Sequence, residues 1–216
     1  LSVLVELPDG RAMLYDAGRM GPPASGAKAI SAVLWSRGIT HLDAVFLSHC
    51  DLDHYNALPE LLTQFSVGKI YVTPTMYETP NAAVDALGDA IDQNGVEQEA
   101  VWAGFQFAEG SYKIEVLHPP RKGVLGSDNA NSLVLAIEYA DRRILLTGDL
   151  ESPGLDDLVA EPPHDCDVLL APHHGGRRSN TPALARWCSP EWVVVSGDDR
   201  NRTFANLKST YEAEGA

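Results

Sequence analysis

AVFLSHCDLDHYN, residues 44–56, is the stretch on which the reading of this chain turns. An apolar run ends in His49, Asp51, Asp53 and His54, four potential metal ligands within six residues. Residues 44–48 read as a buried strand, and residues 56–62 as a helix that tolerates Pro59 in its first turn. The four side chains are therefore expected on a strand-to-helix loop, where the positive end of the helix keeps carboxylates ionised. The competing reading makes Asp51 and Asp53 helix caps and leaves the histidines to solvent. Residues further along the chain favour the metal site.

Ligand candidates recur at the same kind of place. Asp149 follows ILLTG, and His173-His174 follow DVLLAP, each at the C-terminal end of an apolar strand. Strands that end in polar residues at one edge gather those residues into a single cleft on rigid supports. Singly, an Asp after Gly is a turn and a His pair is a solvated loop. At three strand ends together they point to a metal hydrolase. Arg177 and Arg178 come directly after the histidines and would suit a phosphate clamp, with a solvated charge pair as the plainer alternative.

Around these motifs the chain alternates unevenly. Residues 2–7 and 11–16 read as a hairpin turned by Pro8-Asp9-Gly10, residues 18–26 as a Gly/Pro-rich loop, and residues 28–37 as a helix closed by Gly38. Further strands are expected at 69–73, 112–117, 132–139, 144–147, 167–171 and 192–196, and further helices at 81–93, 152–159 and 181–187. Runs of strands broken by single helices predict an α+β protein of two sheets packed face to face with helices outside. His118, between a strand and two prolines, is assigned to packing, and His41 and His164 to solvent.

Length and composition bound the rest. The 216 residues, 44% apolar, are counted as one domain, and no apolar run is long enough to enter a membrane by itself. The opening alternation suggests a domain cut from a longer protein. A net charge of −14 excludes general nucleic-acid binding over the surface, so a phosphate-bearing substrate must be held locally. Cys50, Cys166 and Cys188 are widely spaced and odd in number, and suggest neither a disulfide framework nor a zinc ribbon.

The sequence resembles the metallo-β-lactamase fold superfamily, with His49, Asp53 and His54 at three positions of its His-x-His-x-Asp-His signature and Asp51 in place of the second histidine. More closely, SHCDLDHYNALP, NANSLVLAIEY, ILLTGDLE and DVLLAPHHGG resemble the C-terminal metallo-β-lactamase domain of ComEC-type DNA-uptake proteins. The resemblance implies a four-layer αββα sandwich over residues 1–216. It implies two divalent cations, one on His49 and Asp51, the other on Asp53 and His54, with Asp149 bridging. So oxygen-rich a set favours manganese or magnesium over zinc. Asp53, His173 and His174 become the catalytic candidates, and Asn131, Ser132, Arg177 and Arg178 the substrate contacts. The implied activity is that of a phosphodiesterase or nuclease acting on DNA. It would be a soluble domain attached to membrane segments of a bacterial inner-membrane protein, on the extracytoplasmic face. The family usually offers a further histidine after the last strand, where residues 201–206 read NRTFAN. His173 or His174 is expected to stand in for it. A non-nucleic-acid phosphodiester and a binding domain without turnover are the other outcomes.

Overall fold

A computed structural model of the chain describes residues 1–78, 81–109, 111–197 and 203–215. The chain divides into two compact units, Leu1–Val101 and Trp102–Ala216.

The first unit runs β1 (Val3–Glu6), β2 (Ala12–Tyr15), α1 (Pro23–Ser36), β3 (His41–Phe46), α2 (Leu52–Tyr55), α3 (Leu58–Leu62), β4 (Ser66–Val72), α4 (Ala82–Gln93) and β5 (Glu97–Ala100). Its sheet has the order β1-β2-β3-β4-β5. The first pair is the expected antiparallel hairpin, and every later pair is parallel. One face carries Leu14, Val45, Ile70 and Val72 beneath Leu34, Leu58, Leu61, Leu87 and Ile91 of the helices. The other carries Phe46, stacked on Tyr71 at 4.8 Å. Parallel strands buried on both faces read as continuous apolar runs, which is why residues 44–48 show no alternation.

Two boundaries differ from expectation. α1 begins at Pro23, five residues before the helix read from sequence, because proline in the first turn loses only an N–H that has no helical partner there. The segment expected to be a loop holds the single-turn helix α2, which carries Asp53 and His54. The polar strand β5 was not anticipated. It has no apolar signal and is held by parallel pairing and by Lys69, which bonds Glu97 at 2.8 Å and Glu99 at 3.0 Å.

The second unit runs β6 (Gln106–Glu109), β7 (Tyr112–His118), β8 (Val134–Tyr139), β9 (Arg142–Leu146), α5 (Gly154–Ala160), β10 (Val168–Leu170), α6 (Pro182–Cys188), β11 (Trp192–Val194) and α7 (Thr203–Ala213). Its sheet order is β11-β10-β9-β8-β7-β6, an antiparallel meander from β6 to β9 continued by two parallel strands. Leu145, Leu169 and Ala136 pack beneath Leu155, Leu158, Leu184, Trp187 and Tyr211 of α5, α6 and α7. α7 was missed because TFANLKSTYEA is mostly polar and small; Leu207 and Tyr211 are buried in the core of the second unit. Residues 201 and 202 of the NRTFAN segment lie outside the described residues, and Thr203 opens α7.

His118 packs as expected. It is 2% exposed, its Nδ1 donates to the Ser132 carbonyl at 3.0 Å, and burial holds its pKa below the usual histidine value. His164 is half-buried and stacks on Trp187 at 5.8 Å instead of lying in solvent. His41 stays exposed, with Nδ1 2.8 Å from Ser66 Oγ.

The close fit of α5 makes one position sensitive. A Cβ at Gly154 would overlap the Ala130 carbonyl and lie 2.9 Å from His118 Cε1. Gly154→Ala is expected to lower unfolding stability by ~1–3 kcal/mol, read as an earlier urea midpoint at unchanged slope. An unshifted midpoint would mean that this contact is not tight.

Candidate metal centre

The first unit holds a buried cluster built on Asp16, at the end of β2. Asp16 is fully buried at φ +60°, and Gly18 follows it against the α2 backbone; a Cβ there would lie 2.5 Å from the Asp53 carbonyl oxygen. This close approach seats the Asp16 carboxylate under residues 48–54. Ser48 N donates to Asp16 Oδ1 at 2.7 Å, Ser48 Oγ donates to Oδ2 at 2.8 Å, and His54 Nδ1 donates to Oδ2 at 2.8 Å. A carboxylate only accepts, so the His54 proton must sit on Nδ1. With its own proton committed to Asp16, Ser48 Oγ accepts from His49 Nδ1 at 2.9 Å.

Both imidazoles are thereby fixed in one tautomer, with the Nε2 lone pairs outward. Their rings lie 4.2 Å apart. His49 Nε2 is buried without a hydrogen-bond partner among the described residues and lies 3.5 Å from Asp51 Oδ2. His54 Nε2 lies 3.8 Å from Asp53 Oδ2. A buried imidazole that donates its other N–H to a carboxylate or hydroxyl is the arrangement of a metal-ligating histidine. The capping alternative does not hold for Asp51, whose side chain makes no capping hydrogen bond to α2. His49, Asp51, Asp53 and His54 fit a divalent cation in donor chemistry, tautomer and proximity. Beside them Tyr55 is buried, which pushes its phenol up to about 12 and keeps it protonated.

The second unit supplies a second cluster at the ends of β9 and β10. Asp149 is buried and follows Gly148, whose carbonyl accepts from His173 N at 3.1 Å. His174 Nε2 lies 3.6 Å and His173 Nε2 3.9 Å from Asp149 Oδ2. Both histidines adopt positive φ, 51° and 53°, a conformation that costs about 1–3 kcal/mol each outside glycine. Asn180 holds the turn, its Nδ2 donating to Pro172 O at 2.9 Å and Gly176 O at 2.8 Å, while its Oδ1 accepts from the Tyr211 hydroxyl. His174 Nδ1 donates to the Ser196 carbonyl at 2.8 Å, which directs its Nε2 lone pair to the Asp149 side. His173 Nδ1 lies 3.6 Å from Glu151 Oε2. The two neighbours are thus prepared differently.

The substrate-contact candidates fare unevenly. Asn131 spends its amide on its own loop, accepting from Val124 N at 2.7 Å and donating to the carbonyls of Val124 and Ser127. It is a loop clip. Ser132 Oγ is buried with no hydrogen-bond partner among the described residues. Arg177 and Arg178 are exposed, and among the described residues neither has a carboxylate at ion-pair distance. Asp16, Ser48 and Glu151 were not anticipated. Asp16 ends an apolar strand, the same signal that marked Asp149, and could have been found by it.

Fold and clusters together describe an α+β protein that gathers histidines and aspartates at the ends of its strands. Residues 1–186 match the metallo-beta-lactamase superfamily, and the chain belongs to it, with the fold of its metal-dependent hydrolases. The chain is 29% identical over 182 residues to ComE operon protein 3 of Bacillus subtilis, covering 84% of this chain and 23% of that protein. It is 30% identical over 205 residues to Competence protein ComA of Neisseria gonorrhoeae, covering 93% and 26%. It therefore spans about a quarter of the length of these relatives. Among solved structures it resembles CmlA, a diiron beta-hydroxylase from Streptomyces venezuelae, with a TM-score of 0.61 at 18% identity, covering all of this chain and 50% of that one.

If Asp16 and Ser48 set the imidazole tautomers, Asp16→Asn and Ser48→Ala should each weaken divalent-cation binding by ~10–100-fold, measured by calorimetric titration of metal-stripped protein. Unchanged affinity in both variants would show that the histidines need no such support.

Proposed function

We propose that this chain is a two-metal phosphodiesterase, the nuclease domain of a DNA-uptake protein. The observation that carries the reading is the buried pair His49 and His54, with Nδ1 atoms held by Ser48 and Asp16 and with His49 Nε2 left without a hydrogen-bond partner among the described residues. Kinship with two competence proteins supports the DNA-uptake setting.

In this reading His49 and Asp51 would hold one cation and Asp53 and His54 the other, and Asp149 is the fifth proposed ligand. Bound divalent cations supply a nucleophile at neutral pH and neutralise charge on a phosphoryl oxygen. The chain's own residues do the remaining work. Asp16 and Ser48 fix the ligand imidazoles. His174, its Nδ1 committed to Ser196, replaces the histidine missing from residues 201–206. His173, turned towards Glu151, carries a proton for the leaving oxygen. Arg177 and Arg178 take the substrate phosphates, and the Ser132 hydroxyl contributes a polar group, with Asn131 holding its loop. No helix of the described residues is long and apolar enough to cross a membrane. Membrane attachment would come from the rest of a longer inner-membrane protein, with this domain on the extracytoplasmic face.

Three carboxylates among five ligands lead to a metal preference. Manganese or magnesium should support more turnover of single- and double-stranded DNA than zinc does at equal occupancy, assayed on metal-stripped protein with bis(p-nitrophenyl) phosphate in parallel. Zinc clearly outperforming both would contradict the ligand assignment. Hydrolysis of the small diester without DNA cleavage would move the substrate to another phosphodiester.

Asp149→Asn should abolish turnover, a larger loss than the ~10–100-fold typical of removing an outer partner, with the circular dichroism spectrum unchanged. Near wild-type turnover in this variant would sink the two-metal reading.

A further inference from the structure

Read along the sequence, the three cysteines form no pattern. Folded, two of them meet. Cys166 lies just before β10 and Cys188 ends α6. Cys166 N donates to the Cys188 carbonyl at 2.8 Å, and His164 N donates to the Trp187 carbonyl at 2.8 Å, so the two segments run side by side. One such bond between two residues brings their Cα atoms within the roughly 4.4–6.8 Å window in which a disulfide closes. The side chains point into the same core. Cys188 is fully buried and Cys166 is 7% exposed, and both pack with Leu169, Leu184 and Tyr211. Cys188 Sγ donates to the Leu184 carbonyl at 3.1 Å.

We propose that Cys166 and Cys188 are a redox couple that closes to an intramolecular disulfide, tying the entry of β10 to the end of α6. The oxidant is of the disulfide class, such as glutathione disulfide or an oxidised thiol–disulfide oxidoreductase. The Cys166 thiolate attacks one sulfur of the oxidant, forming a mixed disulfide and expelling the first thiolate. The Cys188 thiolate then attacks Cys166 Sγ and expels the second. Two thiols lose two electrons and two protons, and the oxidant becomes two thiols.

Burial sets the timing. The neighbouring Cys166 thiol, together with loss of solvent, holds Cys188 protonated and raises its pKa well above the usual range, so the folded reduced pair reacts slowly. The bond forms while the chain folds, before the core closes. β10 leads directly into Pro172-His173-His174, so the crosslink fixes the strand that delivers both histidines. Cys50 is buried in the first unit and takes no part.

The test uses the 216-residue chain itself. It is reduced in denaturant and refolded either with glutathione disulfide or with dithiothreitol. It is then unfolded, treated with excess maleimide without further reduction, and weighed intact. The refolded-oxidised protein should take one label, and proteolysis should release a peptide pair joined through Cys166 and Cys188. The dithiothreitol sample should take three. The oxidised protein should melt several degrees higher than the reduced one, and Cys188→Ser should abolish that difference. Three labels after oxidative refolding, or a link that includes Cys50, would overturn the proposal.

Discussion

The buried carboxylate of Asp16 is the constraint on which the first unit's chemistry depends. It accepts from Ser48 N, Ser48 Oγ and His54 Nδ1, and through Ser48 it also settles the tautomer of His49. Burying a carboxylate is costly unless its oxygens are fully used, and breaking such a network leaves an uncompensated charge. The left-handed backbone at Asp16 and the missing side chain at Gly18 are what let β2 end directly beneath the β3 loop. Fold and site are therefore one problem here. The parallel pairing of β2 with β3 brings Asp16 to Ser48 and His54, whose donors satisfy the buried charge.

The second unit reaches a comparable result by strain. Two consecutive histidines in the left-handed region are unfavourable, and the turn persists because Asn180 and the Gly148 carbonyl hold it on both sides. Identical neighbours then acquire different surroundings. His174 is oriented by a backbone carbonyl and His173 faces the Glu151 carboxylate. Sequence alone offers His173 and His174 as interchangeable, and only the backbone separates them.

The candidate site residues stand out in the sequence because polar residues at the ends of apolar strands break a pattern that is otherwise strong. His49, Asp53, His54, Asp149 and the histidine pair all announce themselves this way. Most strands and helices were legible for the same reason. What escaped was held by pairing and not by periodicity. β5 is polar and held by its neighbour β4 and by Lys69, and α7 is mostly polar and small, with Leu207 and Tyr211 buried. α1 hid its start behind prolines that read as a loop. Asn131 was taken for a substrate contact because an amide in a motif carries no sign of whether it faces a ligand or its own backbone. Cys166 and Cys188, 22 positions apart, could be paired only once β10 and α6 were placed.

Binding of two divalent cations by His49, Asp51, Asp53, His54 and Asp149 is the claim on which the proposed chemistry rests. Its most direct test is the metal content of the metal-stripped chain after titration with manganese and removal of free ion, measured by elemental analysis against protein concentration. Two equivalents per chain are expected in the wild type, with His49→Ala retaining about one. Fewer than one equivalent in the wild type, or two retained in the His49→Ala variant, would contradict it.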